Sequence, residues 1–160
     1  MASELRYGVD KIIPYEEQLK VFTEHGFALW DVVKSCERKG SLDTDIKKEE
    51  PNDIREFCRQ HQTSLRRIVL ANGSTQSTIF NRHFQDWWRS GELKPASNEH
   101  SIRNFKKYAK FTNNFEDATI ECVCAIAVSP AAAKYTYNEK RAFWEEYCFN
   151  PGLLDHKSIN

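Results

Sequence analysis

The polar side chains best able to do chemistry in this chain stand where apolar runs break. Gly26-Phe27-Ala28-Leu29-Trp30-Asp31-Val32-Val33 gives way to Lys34-Ser35-Cys36-Glu37-Arg38-Lys39-Gly40-Ser41-Leu42-Asp43. Leu65-Arg66-Arg67-Ile68-Val69-Leu70-Ala71 gives way to Asn72-Gly73-Ser74, and the run from Thr119 to Val128 gives way to Ser129-Pro130-Ala131-Ala132-Ala133. In an open α/β sheet, ligands bind beyond the carboxyl ends of the strands. If these three runs are parallel strands, their polar loops converge on one edge. Asp31 could read a donor edge of a ligand or position a water, or it could simply cap the end of its strand. Asn72-Gly73-Ser74 could offer backbone N–H groups to a phosphate, or be only a tight turn into a helix. The small side chains from Ser129 to Ala133 would let a phosphate or a backbone approach closely, or form an ordinary loop.

Other constellations carry less. Asp43-Thr44-Asp45 has the spacing of a carboxylate pair for a metal, but Lys47 and Lys48 are close by and the stretch reads as a solvated loop. Arg103, Lys106, Lys107 and Lys110 share one side of an amphipathic helix whose apolar stripe is Ile102, Phe105 and Ala109. That basic side could contact phosphates, with Phe105 and Tyr108 available for base stacking, or it could be the wet face of a surface helix. The five histidines are scattered, and none falls at an expected strand end. No Ser-His-Asp arrangement, phosphate loop or Gly-x-Gly-x-x-Gly is present.

The five cysteines (Cys36, Cys58, Cys122, Cys124, Cys148) form no Cys-x-x-Cys pair and no even framework. They read as buried thiols in a reducing cytosol or nucleus, with no metal site. A formal net charge of zero argues against a mainly electrostatic nucleic-acid binder, while leaving room for a local basic patch. No apolar run approaches the ~20 residues of a membrane span. The first residues lack the apolar core of a secretory signal. An intracellular protein of the nucleus or cytoplasm is therefore expected.

The elements that must position these residues follow from periodicity. Pro14 opens a helix over residues 15–25, with Tyr15, Leu19 and Phe22 on one face and Gly26 as its stop. Residues 27–33 read as a buried strand and 34–50 as a long polar loop. Pro51-Asn52-Asp53 opens a second helix, with Ile54, Phe57, Cys58 and His61 on one face. After the strand at 65–71, Ser74 caps a helix on which Phe80, Phe84, Trp87 and Trp88 recur at helical spacing, ended by Gly91 and Pro95. Residues 92–118 are polar apart from the amphipathic helix. The strand at 119–128 carries Cys122 and Cys124 on one face. Thr136 and Glu139 make a capping box for a last helix ending near Asn150-Pro151-Gly152. At 160 residues with 40% hydrophobic content the chain suits one domain with a real core. Strands that are mostly apolar on both faces and alternate with helices imply a short parallel sheet covered on both sides, an α/β fold.

Several of these segments also resemble a known family. Pro14-Tyr15-Glu16-Glu17-Gln18-Leu19, Gly26 to Val33, and Ser35-Cys36-Glu37-Arg38-x-Gly40-Ser41-Leu42-Asp43 are similar to the deoxyinosine (hypoxanthine)-DNA glycosylase branch of the uracil-DNA glycosylase superfamily. Pro51-Asn52-Asp53, Asn72-Gly73 and Ser129-Pro130-Ala131 continue the match in order. It covers roughly residues 7–84 and 119–150, with 85–118 as an insertion. The resemblance implies a single three-layer α/β/α domain over 1–160 that flips a damaged base out of DNA and hydrolyses its N-glycosidic bond without a cofactor. By position, Asp31 falls where superfamily members place a base-reading side chain, and Ser35 and Asn72 are further candidate base contacts. Gly73, Ser74, Ser129, Pro130 and Ala131 become candidate DNA contacts, joined by Arg103, Lys106, Lys107 and Lys110. The expected partner is DNA containing a damaged base, hypoxanthine or uracil.

Two departures qualify this. The family's first motif, a strand with its water-positioning loop, normally precedes the match at Gly8, and only seven residues stand before it here. The expectation is a domain incomplete or divergent at its N-terminus, with a sheet edge left open to a protein partner. Ala132 stands where the second motif often has His or Asn, and it cannot donate to a leaving base. The alternatives are a catalytically inactive module on the same scaffold that binds nucleic acid or protein, and an unrelated α/β nucleotide-binding domain.

Overall fold

A computed structural model describes residues 13–38, 40, 46–109, 118–129 and 132–159. Asp43, Lys110, Pro130 and Ala131 lie outside them, as does the rest of the Asp43-Thr44-Asp45 pair. Helix α1 (Tyr15–Glu24) is entered through Pro14, whose carbonyl accepts from Gln18 N at 3.1 Å. Strands β1 (Val33–Arg38) and β2 (Ile46–Pro51) precede α2 (Ile54–Gln60), which is capped by Asp53 accepting from Glu56 N at 3.3 Å. Strand β3 (Arg67–Leu70) runs into α3 (Gly73–His83) and α4 (Gln85–Arg89). Strand β4 (Leu93–Pro95), α5 (Glu99–Ala109) and β5 (Ile120–Cys124) follow. The chain then forms α6 (Tyr137–Trp144), a π-helical turn (Glu145–Phe149) and α7 (Asn150–Ile159).

The expected parallel sheet is present: β3, β5 and β4 pair in that order, both pairs parallel, with Ile68 opposite Cys122 and Lys94 opposite Glu121. Alternation sorts its side chains between two layers. Leu70, Ile120, Cys122 and Cys124 pack with Ile54, Phe80, Trp88 and Phe105. Val69 and Ala125 join Phe22, Phe27, Trp144 and Phe149 in the opposite layer. Burial pushes the thiols up, Cys58 to about 11 and Cys148 to about 12. They stay protonated and serve as packing groups. Cys36 alone among the five is exposed.

The third strand differs from the expectation. Residues 27–33 do not pair in the parallel sheet. Phe27 is drawn into the layer of Phe22 and Phe149, with ring centroids 5.8 and 5.7 Å away, and Trp30 lies 4.7 Å from Phe57. The apolar run is spent on two separate neighbours rather than on one ladder. Its place in the sheet is taken by β4, only three residues long and too short to show a period in the sequence.

The stretch read as a loop at 34–50 is also largely strand. Val33 pairs with Pro51 and Arg38 with Ile46 in an antiparallel hairpin. Its polarity follows from exposure, and its charges are complementary across the strands: Lys48 to Glu37 at 2.8 Å and Lys34 to Glu50 at 3.4 Å. On α5 the buried residues are Ser101, Phe105 and Tyr108, whereas Ile102 is 50% exposed. The helix is rolled by a hydrogen bond: Ser101 Oγ accepts from Cys124 N at 2.9 Å, filling the ladder position that β4 leaves empty beyond Pro95.

The C-terminal helix runs through Asn150-Pro151-Gly152 rather than ending there. A proline ring collides with the carbonyl four residues back in a regular helix. The π turn immediately before Pro151 widens the backbone at that point and lets the helix continue.

Candidate nucleic-acid interface

Two of the three expected loops meet at the carboxyl edge of the parallel sheet. Beyond β3, Asn72 leads into α3 and Gly73 takes φ 62°, a left-handed conformation that suits a residue without Cβ. A Cβ at Gly73 would lie 3.7 Å from Ala125 O and 3.9 Å from Ala127 N, so this turn and the segment leaving β5 are in contact. Asn72 and Ser74 are exposed, and the Asn72 side chain makes no capping bond to α3. The first turn of α3 carries N–H groups without intrahelical partners, the usual means by which a helix start receives an anion.

The segment leaving β5 is anchored from the opposite layer. Trp144 Nε1 donates to Ile126 O at 2.8 Å. At its tip the Ser129 carbonyl accepts twice, from Ala132 N at 3.0 Å and from Lys140 Nζ at 2.9 Å. Val128 and Ser129 are exposed.

The third loop is elsewhere. Asp31 is exposed, and its backbone carbonyl accepts from Asn52 Nδ2 at 2.8 Å, tying it to the entry of α2. Ser35 faces solvent within β1 and donates to Glu50 Oε2 at 3.0 Å across the hairpin. Neither residue stands at a strand end of the parallel sheet, because the run that precedes them joined no parallel ladder. On α5, Lys106 and Lys107 are exposed, and Arg103 Nη2 is 3.3 Å from Glu99 Oε1. Phe105 and Tyr108 are buried against Trp88, so the expected stacking partners for bases point into the core instead.

Two ionic clusters lie away from this edge and are architectural. Glu49 of β2 is almost fully enclosed, and its carboxylate accepts from Arg82 at 2.6 and 2.7 Å and lies 2.8 Å from His83 Nε2. Burial alone would raise its pKa, but the bonds from His83 and Arg82 hold it below the ordinary carboxylate value. The pair fastens the hairpin to α3. Glu92 accepts from Arg55 Nη2 at 2.6 Å and from Trp87 Nε1 at 3.2 Å. A cavity of about 30 Å³ beside it, lined by Arg55, Cys58, Leu65, Trp87 and Ile120 among others, has room for water and no more.

His100, in the first turn of α5, was unmarked by any pattern in the sequence. Both of its ring nitrogens are buried without a hydrogen-bond partner among the described residues, and its ring meets Phe143 edge-on at 6.1 Å. Desolvation, with the nearby cations Arg103 and Lys134, lowers its pKa. The folded state thus prefers the neutral ring, while the unfolded chain takes up its proton near pH 6.5. The stability contributed by neutral His100 is complete above about pH 6.5 and declines as pH falls below it, well before Glu49 and Glu92 begin to protonate. Urea unfolding at pH 7.5 and 5.5 should show this loss, and His100→Phe should reduce it; equal losses in both proteins would remove His100 as the cause.

Among the described residues no helix is long and apolar enough to cross a membrane, and no group of three or more His, Cys, Asp or Glu could hold a metal ion. The fold and the edge together define an α/β protein with a three-stranded parallel sheet, helices on both faces, and two small-residue loops side by side at the carboxyl edge. No protein-family model matches the chain, and no curated protein or solved structure matches it either.

Proposed function

We propose that this chain is a DNA-binding protein of the uracil-DNA glycosylase type, and that its reaction is hydrolysis of the N-glycosidic bond of a deaminated base, hypoxanthine or uracil, after base flipping. The observation that supports this best is the juxtaposition of Asn72-Gly73 with the segment from Ala125 to Ser129 at the carboxyl edge of a parallel sheet. Asn72-Gly73 is one of the segments that carry the family resemblance, and the segment leaving β5 leads into another, Ser129-Pro130-Ala131, which falls in the motif that superfamily members turn toward DNA and the leaving base. In the reaction, the bond from C1′ to the base nitrogen breaks, a water oxygen bonds to C1′, and the water's proton balances the departing base. Asn72 and the start of α3 are assigned to the base and its phosphate, and the Ser129–Ala132 turn to the strand. Arg103, Lys106 and Lys107 add phosphate contacts along α5.

A duplex carrying a single deoxyinosine or deoxyuridine, incubated with the protein and then treated with alkali, should break at the modified position. Absence of abasic sites under conditions where the duplex is bound would overturn the enzymatic reading. It would leave the second one, a glycosylase-type module that binds without cleaving. Two observations favour that alternative: Asp31 lies away from the sheet edge, and Ala132 has its N–H committed to Ser129 O and only a methyl group to offer a leaving base.

A further inference from the structure

Strand β3 lies between two layers, yet among the described residues it is hydrogen-bonded along one side only. Its pairing with β5 fixes which groups are used: Glu121 N donates to Arg66 O and Ala125 N to Leu70 O, each at 3.0 Å. Backbone groups alternate in direction along a strand, so Arg66, Ile68 and Leu70 turn theirs toward β5. The N–H and C=O of Arg67 and Val69 point the other way, and no described residue bonds to these four groups. A row of unpaired N–H and C=O groups is a template for another strand unless something blunts it. The opposite edge of the sheet is blunted, since β4 is three residues long and stops at Pro95. Strand β3 has no proline, glycine or lysine, and Ile68 and Val69 are only half-buried. Its one charge is neutralised inside the chain, with Arg67 at 3.0 Å from Glu121 and 3.6 Å from Asp155.

We propose that β3 is a self-association edge, to which a second copy of this chain adds its own β3, antiparallel, about a two-fold axis beside Ile68. The register follows from the direction of the free groups. An antiparallel hydrogen-bonded pair exchanges N–H and C=O both ways, so Arg67 exchanges two bonds with Val69 of the second copy, and Val69 two with its Arg67. All four free groups of each strand are then satisfied. Ile68 meets Ile68 across the axis at the closer, non-hydrogen-bonded position, an apolar β-branched pair of the kind that stabilises a sheet. No like charges are opposed, because Arg67 comes opposite Val69 and the exposed Arg66 opposite Leu70. A formal net charge of zero puts no general repulsion between the copies. The interface is isologous, as a two-fold requires, and joins two three-stranded sheets into one. One short shared edge is a small contact, so the association is reversible and concentration-dependent. Antiparallel pairing sends the two carboxyl edges to opposite ends of the joined sheet, and the inference is therefore independent of what binds there.

Sedimentation equilibrium of the full chain should show the mass rising with concentration from that of one chain toward twice that value. Ile68→Lys sets two ammonium groups face to face across the axis, and Ile68→Glu two carboxylates. Each variant alone should stay at the mass of one chain, and an equimolar mixture of the two should dimerise, because Lys then faces Glu. A native chain that keeps the mass of one chain at every concentration overturns the proposal. So does a native-like dimer formed by either variant alone, which would place the contact elsewhere, or a mixture that stays monomeric. Ile68 also packs on the α2 and α5 layer, so the variants must first show a native circular dichroism spectrum. A second measurement on the native chain needs no variant. Hydrogen exchange at the amides of Arg67 and Val69 should slow as concentration rises, while the amides of Ile68 and Leu70, bonded to β5, stay protected throughout. Full protection of Arg67 and Val69 in the dilute monomer would mean that the edge is filled from within the chain, and the second copy would be excluded.

Discussion

Replacing Trp88 with alanine should cost about 3–5 kcal/mol of folding stability, the range for truncating a fully enclosed aromatic side chain. Trp88 has no exposed surface and lies at the centre of the layer formed by α3, α4 and α5. Its ring is 5.1 Å from Phe105 and 5.9 Å from Tyr108, and its Nε1 donates to Asn81 Oδ1 at 2.9 Å. Asn81 is itself buried, so the alanine variant would open a cavity and also strand a polar group. Against the roughly 5–15 kcal/mol that holds a domain of this size together, the loss is a large fraction. Trp88→Phe separates the two causes: it keeps most of the volume and strands only Asn81, at about 1–3 kcal/mol. Urea unfolding followed by circular dichroism would measure both. A Trp88→Ala midpoint equal to that of the native protein would mean that this layer is not packed as described.

Gly152→Ala should destabilise the protein, against the expectation from helix propensity. Gly152 lies inside α7, where alanine is favoured over glycine by up to about 1 kcal/mol. A Cβ at this position, however, would stand 2.5 Å from Phe27 Cε1 and 2.7 Å from Phe27 Cζ. The Phe27 ring is confined by Phe22 and Phe149 and has little freedom to yield. Overpacking of this kind costs about 1–3 kcal/mol, so the clash outweighs the propensity gain. A double-mutant cycle gives the sharper test. Once Phe27→Ala has removed the ring, the same Gly152→Ala change should become neutral or stabilising. If it destabilises equally in both backgrounds, contact with Phe27 is not its cause.

The same glycine shows where reading the sequence succeeded and where it did not. Asn150-Pro151-Gly152 carries the residues that usually end a helix, and local chemistry alone gives no reason to continue it. The continuation comes from the π turn at Glu145–Phe149 and from the need for a residue without Cβ beneath Phe27, a residue more than a hundred positions away. Residues 27–33 make the complementary case. Their apolarity is real, but Phe27 is claimed by one layer while Trp30 and Val32 are claimed by the other, so the run becomes a connection and not a strand. Asp31 accordingly loses the strand end on which its reading as a base contact depended. Lys140 was invisible for a related reason: it shares a helical stripe with Trp144 and Cys148, all three buried, and only the arrival of the Ser129 turn gives its ammonium a partner.

By itself the sequence determined the elements whose signals are local. The helix starts at Asp53 and Thr136 are set by capping bonds within a few residues, and the one after Pro14 by its fixed φ. Phe80, Phe84, Trp87 and Trp88 are all buried as their spacing implies, although the one helix expected there is broken at Phe84 into α3 and α4. The strands at Arg67–Leu70 and Ile120–Cys124 are mostly apolar on both faces, their one charge each paired as Arg67 with Glu121 at 3.0 Å, and so lie between two layers. Tertiary structure alone decided which third segment completes the sheet, how α5 is rolled by Ser101, and which loops meet at the carboxyl edge. Those choices depend on competition among distant partners for the same backbone groups and the same volume, and no local pattern records the outcome of that competition. The candidate interface was half legible on this account: Asn72-Gly73 and Ser129 follow strands marked by composition, whereas the buried cation beneath them is a product of packing.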